Sequence, residues 1–278
     1  MVGQGVGYSS PMFSPAGSYR LLTFSGIEVF VHWSWFLAAY FLFQLTGGRG
    51  WGDLAAFGLV YGSLFGIVLL HEFGHALACR SVGGEAKHIV LWPLGGIAYV
   101  APPARPGAVL WSIAAGPLVN VALTPIFYGL YWLLNGPIGS PPSTPLMGLL
   151  AVVAHINLGL LIFNMMPIYP LDGGQIVQSI LWFFVGRAKS LKITAGWGLA
   201  VAGAAFFLAL TGFSGFIPVS RVMLLLLSAY VAWQAWNGFR VAKVLAQVEA
   251  REDHTLSRAM RIAQGMTARP LDGDASRR

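Results

Sequence analysis

Charged residues are what this chain has least of: Asp, Glu, Lys and Arg make up 10% of its 278 residues, where soluble domains carry about a quarter. So few solvated groups cannot cover a surface turned to water, and 56% of the residues are hydrophobic, in runs spread from residue 29 to 238. A soluble domain on a single anchor is thereby excluded, and most of the chain belongs in a bilayer. Cysteine is nearly absent. Cys79 stands alone, so no intrachain disulfide can form and a cysteine-rich structural zinc module is ruled out. The GxGxxG fingerprint, the P-loop and the GxSxG elbow are missing, which removes dinucleotide binding, P-loop nucleotide hydrolysis and α/β-hydrolase chemistry. No internal repeat is present. Residues 1–20, MVGQGVGYSSPMFSPAGSYR, lack the basic start, apolar core and cleavage site of a signal peptide, and residues 1–28 are expected to form a flexible amino-terminal arm.

Hydropathy predicts an all-α polytopic membrane protein of about six transmembrane helices, at 29–46, 57–82, 107–134, 147–168, 193–212 and 217–238, each near the roughly 20 residues that cross hydrocarbon. A shorter apolar piece, GGQIVQSILWFFVG at 173–186, follows a Pro-rich break and is expected to prolong the fourth span or lie at the interface. A small strand-like segment is expected near 85–105, at the cytoplasmic edge of the membrane. The domain organisation is thus the arm at 1–28, a six-span domain at 29–238 and a short cytoplasmic tail at 239–278. The net charge of +7 is a topological signal rather than a nucleic-acid footprint. With six spans, only Arg49 and Arg221 among the 17 Lys and Arg fall on one side, leaving fifteen on the other. The positive-inside rule then places both termini and the 83–106 loop in the cytoplasm of a multi-pass membrane protein.

Ten side chains are acidic, and all but two lie at span ends, in loops or in the tail. Glu72 and Asp172 fall within or beside spans, where a carboxylate costs about 3 kcal/mol and marks a functional candidate. Glu72 stands in LLHEFGHALA, residues 69–78. On a helix His71 and His75 lie one turn apart on one face and can direct both imidazoles at one metal. Glu72, about 100° round the helix, borders that metal and can take a proton from water. HExxH is a short pattern by itself, but two His and a Glu in an apolar span need a compensating use. The bland alternative is a His pair making ordinary interhelical hydrogen bonds.

Catalytic zinc takes three protein ligands and keeps a position for water, and the candidates for the third are Asp172, His155, His88 and Glu85. The segment FNMMPIYPLDGGQ favours Asp172: Pro167 and Pro170 break the fourth span, Gly173 and Gly174 free the backbone, and a broken helix at membrane depth lines a polar cavity. His155 reads better as an interhelical hydrogen-bonding residue, and His88 and Glu85 as solvent-facing. Asn157 and Asn164, seven apart, share a helix face. Both can tie neighbouring helices together, and Asn164, nearer the break, can also hold a substrate backbone or a developing oxyanion.

HEFGH in an apolar span, followed about a hundred residues later by FNMMPIYPLDGG, resembles the site-2 protease family of intramembrane zinc metalloproteases. The likeness runs from about residue 27 (IEVFVHWSW) to about residue 180 and takes in LWPLGGIAYV and AAGPLVNVAL. It implies one zinc per chain held by His71, His75 and Asp172, with Glu72 as catalytic base and Asn164 assisting, in an enzyme that cuts membrane-protein substrates within or near their transmembrane segments. No PDZ-like insertion separates the motifs and no CBS pair follows the last span, so the likeness is to compact six-span bacterial and archaeal members. The expected partners are a membrane-protein or peptide substrate and the lipid bilayer, with no nucleic acid. HIVLWPLGGIAYV is expected to offer an edge, along residues 88–100, on which an extended substrate adds a strand, with Gly95 and Gly96 at the turn; a plain loop or re-entrant hairpin is the alternative. The rival function is a metal-ion or proton transporter that uses His71, Glu72, His75 and Asp172. Against it, no inverted repeat is visible, and a Glu at zincin spacing serves no transport purpose.

Overall fold

A two-residue turn opens the fold. β1 (Ser18–Phe24) and β2 (Ile27–His32) pair antiparallel down to Phe24↔Ile27, and Ser25 and Gly26 between them take positive φ of 50° and 71°. That is the twist such a hairpin needs, and Gly26 adopts it without strain. The computed structural model describes residues 17–45, 51–93, 95–211 and 221–267. It divides into two units, residues up to Phe183 and residues from Phe184 onward.

In the first unit β2 leads into α1 (Ser34–Leu45) and α2 (Trp51–Ser81), which return the chain to β3 (Glu85–Trp92) parallel to β2. β4 (Gly95–Ala101) then turns back antiparallel, giving the sheet order β1-β2-β3-β4. Ile27 and Val29 alternate inward from β2, Ile89 and Leu91 from β3, and these side chains bury against Val68 and Ala76 of α2. Period-two alternation on the strands thus meets one face of the helix.

α3 (Pro106–Asn135), α4 (Pro145–Asn164) and α5 (Asp172–Val185) follow. α2 and α3 meet almost backbone to backbone: a Cβ on Gly74 would come within 2.6 Å of the Ala115 carbonyl oxygen. Small residues at a helix crossing permit that approach in a membrane, where packing rather than hydrophobicity draws helices together. At the start of α4, Thr144 caps the helix by accepting from the Met147 N–H.

The second unit holds α6 (Arg187–Thr211) and α7 (Arg221–Thr267). Ala188, Ala195, Ala202 and Ala209 are buried at seven-residue spacing on α6, and Leu224, Ser228, Val231, Ala235 and Ala242 on α7. Heptad spacing of small residues is the signature of two helices in close supercoiled contact.

Among the described residues, five helices are long and apolar enough to cross a membrane: Asp53–Ser81, Pro106–Asn135, Pro145–Asn164, Arg187–Thr211 and Arg221–Arg261. The expected first span, 29–46, is instead the end of β2 followed by the 12-residue α1; the apolar strand and the apolar helix merge in a hydropathy window. For the same reason the strand content is larger than expected, since residues 18–28 of the supposed arm are β1 and the start of β2. The 173–186 segment does not prolong α4, because residues 165–171 separate the two helices. Gly95 and Gly96 lie in β4, with Trp92↔Gly95 as the last pair, rather than in the turn. The tail is continuous with the last span as far as Thr267; its remainder and residues 1–16 lie outside the described residues.

Candidate metal centre

His71 and His75 sit in the last third of α2, and Asp172 is the first residue of α5, after the broken segment. Their three ligand atoms converge. His71 Nε2 is 3.1 Å from His75 Nε2 and 3.0 Å from Asp172 Oδ2, and His75 Nε2 is 3.5 Å from the same oxygen. The rings stand nearly perpendicular, at 83°, and both histidines are 6% exposed.

With neutral imidazoles, none of these short contacts is a hydrogen bond. His71 Nδ1 lies 2.6 Å from Asn120 Oδ1, and His75 Nδ1 lies 2.9 Å from the Ser112 carbonyl oxygen. A carbonyl only accepts, so His75 carries its proton on Nδ1; with Asn120 Oδ1 turned to it, so does His71. Both Nε2 atoms then present lone pairs. Asp172 Oδ2 is correspondingly a fully buried oxygen without a hydrogen-bond partner, although two nitrogens stand beside it. Three lone pairs facing one another away from water are costly unless a cation sits among them. The fit to zinc is good. Ligand atoms at about 2.1 Å from a tetrahedral zinc lie about 3.4 Å apart, close to the separations found.

Glu72 stays outside this set. It is 6% exposed, and its Oε2 accepts from the Ala98 N–H of β4 at 3.0 Å. Two glycines make room for the site. A Cβ on Gly116 would run into the His75 imidazole, and one on Gly96 would come within 2.7 Å of Glu72 Oε1. In the broken segment, a Cβ on Gly173 or Gly174 would strike the backbone of Met165 or Ile168, so the chain folds tightly back on the start of α5 and seats Asp172. Gln175 Nε2 fastens that fold by donating to the Pro170 carbonyl at 2.9 Å.

Of the other sequence candidates, none joins the ligand set. His155 turns Nδ1 to the Ala151 carbonyl of its own helix at 2.6 Å, an intrahelical bond instead of the interhelical one expected, and its ring packs on Tyr128. His88 lies beside Glu28, and Glu85 pairs with Lys87. Asn164 is half-buried at the end of α4, and among the described residues its side chain makes no hydrogen bond. Asn157 is fully buried, donating to the Asn120 carbonyl and to Thr124. Asn120, Ser112 and Gly116 went unnoticed in the sequence; the signal available was an Asn buried in the apolar run AAGPLVNVAL. The expected substrate edge also needs correction. β3 has neighbours on both sides, so residues 88–92 are interior and only β4 offers a free edge on this side of the sheet.

The sequence pattern of peptidase family M50 matches residues 60–144 and 134–210, which brackets the whole site. The chain belongs to the site-2 protease family. The chain is similar to a zinc metalloprotease of Methanocaldococcus jannaschii, 30% identical over 82% of this chain and 62% of its own length. A Synechocystis protein with a provisional zinc-metalloprotease name is 30% identical over 92% of this chain and 69% of its own. The solved structure of a site-2 protease from Methanocaldococcus jannaschii aligns with a TM-score of 0.58 at 27% identity, covering 80% of this chain and 95% of that one. Membership makes this chain a multi-pass membrane metallopeptidase, and zinc is the cofactor that goes with it.

Proposed function

We propose that the chain is an intramembrane zinc endopeptidase that cuts membrane-protein substrates within or near their transmembrane segments, in the manner of regulated intramembrane proteolysis. His71, His75 and Asp172 hold the metal, Glu72 is the general base and Asn164 assists. The observation that carries the reading is the convergence of three ligand atoms, from His71, His75 and Asp172, within 4.8 Å of one another, with a second carboxylate, Glu72, beside them and held by the Ala98 N–H. Zinc held there supplies a Lewis acid for the scissile carbonyl and lowers the pKa of a water. Glu72, its Oε2 anchored by Ala98, takes the proton of the attacking water on the carboxylate and returns it to the leaving nitrogen. Asn164 has an unengaged amide with which to donate to the developing oxyanion.

A substrate helix hides its carbonyls in its own hydrogen bonds and must unwind before attack. β4 supports a way to hold the unwound chain. The Ala98 N–H points away from β3 to reach Glu72, so by alternation Gly96 and Val100 turn their N–H and C=O groups the same way. An extended substrate added along 96–100 would run past the base.

The test uses the purified full-length protein. Zinc content and cleavage of single-span substrates are compared for wild type and Glu72→Gln. The variant is expected to keep its zinc and to lose cleavage by about 10²–10⁴-fold; undiminished cleavage would overturn the mechanism.

A further inference from the structure

Asn120 can face His71 in two ways, since an amide has an oxygen on one side and an NH₂ on the other. Only one suits a metal ligand. With Oδ1 toward the ring, the His71 proton sits on Nδ1 and Nε2 keeps its lone pair; with Nδ2 toward the ring, the proton is driven to Nε2, into the metal position. The hydrogen bonds that choose between these states can be followed outward to a group that cannot turn. That group is the Asn120 main-chain carbonyl, which has no hydrogen. The Thr124 hydroxyl, 2.8 Å away, must donate to it, and with its one hydrogen so used the Thr124 oxygen can only accept. Asn157, on α4, lies 3.0 Å from that carbonyl and 2.9 Å from the Thr124 oxygen. Both are acceptors, so Asn157 must turn Nδ2 to them. Its Oδ1 then faces Asn120 and requires Nδ2 there, at 2.9 Å. Asn120 Oδ1 is left for His71. Asn120 and Asn157 are both 0% exposed, so water cannot stand in for either.

We propose that Asn157 is a positioning residue for the metal centre: from α4 it fixes the amide of Asn120, and through it the tautomer in which His71 offers a lone pair. The proposal rests on the ligand reading above. It differs from a simple tie between α3 and α4 in one respect, that the direction of each bond matters and not only its presence.

The experiment measures zinc affinity of the full-length protein in detergent by competition with a chelator, without substrate, and follows unfolding of the metal-free forms in parallel. Asn157→Leu frees Asn120 to turn and is expected to weaken zinc binding about 10–100-fold, the range for lost support of a ligand. Asn157→Asp, whose neutral carboxyl offers a carbonyl to Asn120 and a hydroxyl to the Asn120 carbonyl, is expected to bind zinc close to wild type. The decisive arm is Asn120→Asp, whose carboxylate accepts from His71 Nδ1 whichever way it turns. In that background Asn157→Leu should no longer weaken zinc binding. An equal loss in both backgrounds would mean that Asn157 acts by packing alone and would overturn the proposal, as would an unchanged affinity for Asn157→Leu by itself. Should Asn157→Leu fail to fold, Thr124→Val removes one of the two acceptors that orient Asn157. It is expected to weaken zinc binding in the same direction but by less, and unchanged affinity there also overturns the proposal. A wild-type protein that binds no zinc would overturn the ligand reading and the proposal with it, whereas zinc loss with His71→Ala alone upholds the former and counts against the latter.

Discussion

Gly116 has no side chain, and the His75 ring occupies the place where one would be. A methyl group there forces either the ring away from Asp172 or α3 away from α2, whose backbones already touch at Gly74. Gly116→Ala is therefore expected to lower zinc occupancy and to destabilise the fold by about 1–3 kcal/mol, the usual cost of overpacking, measured by metal analysis and thermal unfolding. For the third ligand, Asp172→Ala removes the oxygen that faces both Nε2 atoms and should lower zinc occupancy, while His155→Ala removes a ring bonded only within α4 and should not; the reverse result would transfer the role to His155. The three converging side chains were legible from sequence because their geometry is local: two His one turn apart and an Asp beside a Pro-Gly break. Asn120 and Gly116 were not, because what they do depends on which face of α3 meets α2, and no periodicity within α3 tells that.

Among the elements, β4 is where sequence reasoning came near and missed. Its residues were expected to accept a substrate strand jointly with β3, but β3 pairs with β2 as well. The partner strand comes from residues 27–32, far enough upstream and apolar enough to pass for part of a helix. The inward alternation of Ile27, Val29 and Val31 was the available clue, hidden because the apolar run continues without pause into α1. With β4 as the edge, its outward groups carry a specific consequence. Val100→Pro removes one outward N–H, and edge strands tolerate proline where the N–H is not part of the ladder. The variant should keep its zinc and fold, while KM for a membrane-protein substrate rises by about 3–10-fold, one hydrogen bond of about 0.5–1.5 kcal/mol. Tyr99→Pro, whose N–H faces β3, should instead lower stability. Equal KM for wild type and Val100→Pro in steady-state cleavage would remove strand addition from the mechanism.

For the whole molecule, topology rests on charge. Either side of α3, a helix long and apolar enough to cross, Lys87 and Arg105 flank one connection while the loop at 136–144 has no Lys or Arg, so the positive-inside rule leads one to expect the first connection in the cytoplasm. By the same rule the cationic beginning of α6 and the basic run of α7 after Phe239 are expected to be cytoplasmic. His71 and His75 lie toward the end of α2 that carries Arg80, so with this expected orientation water would reach the site from the cytoplasm. The lone thiol makes a direct test possible. In a Cys79→Ala background, Ser140→Cys in the 136–144 loop should react with a membrane-impermeant thiol reagent in intact cells, and Glu252→Cys on α7 should react only after the membrane is opened. Labelling in the opposite order would invert the topology and place the water access of the metal centre on the outer face.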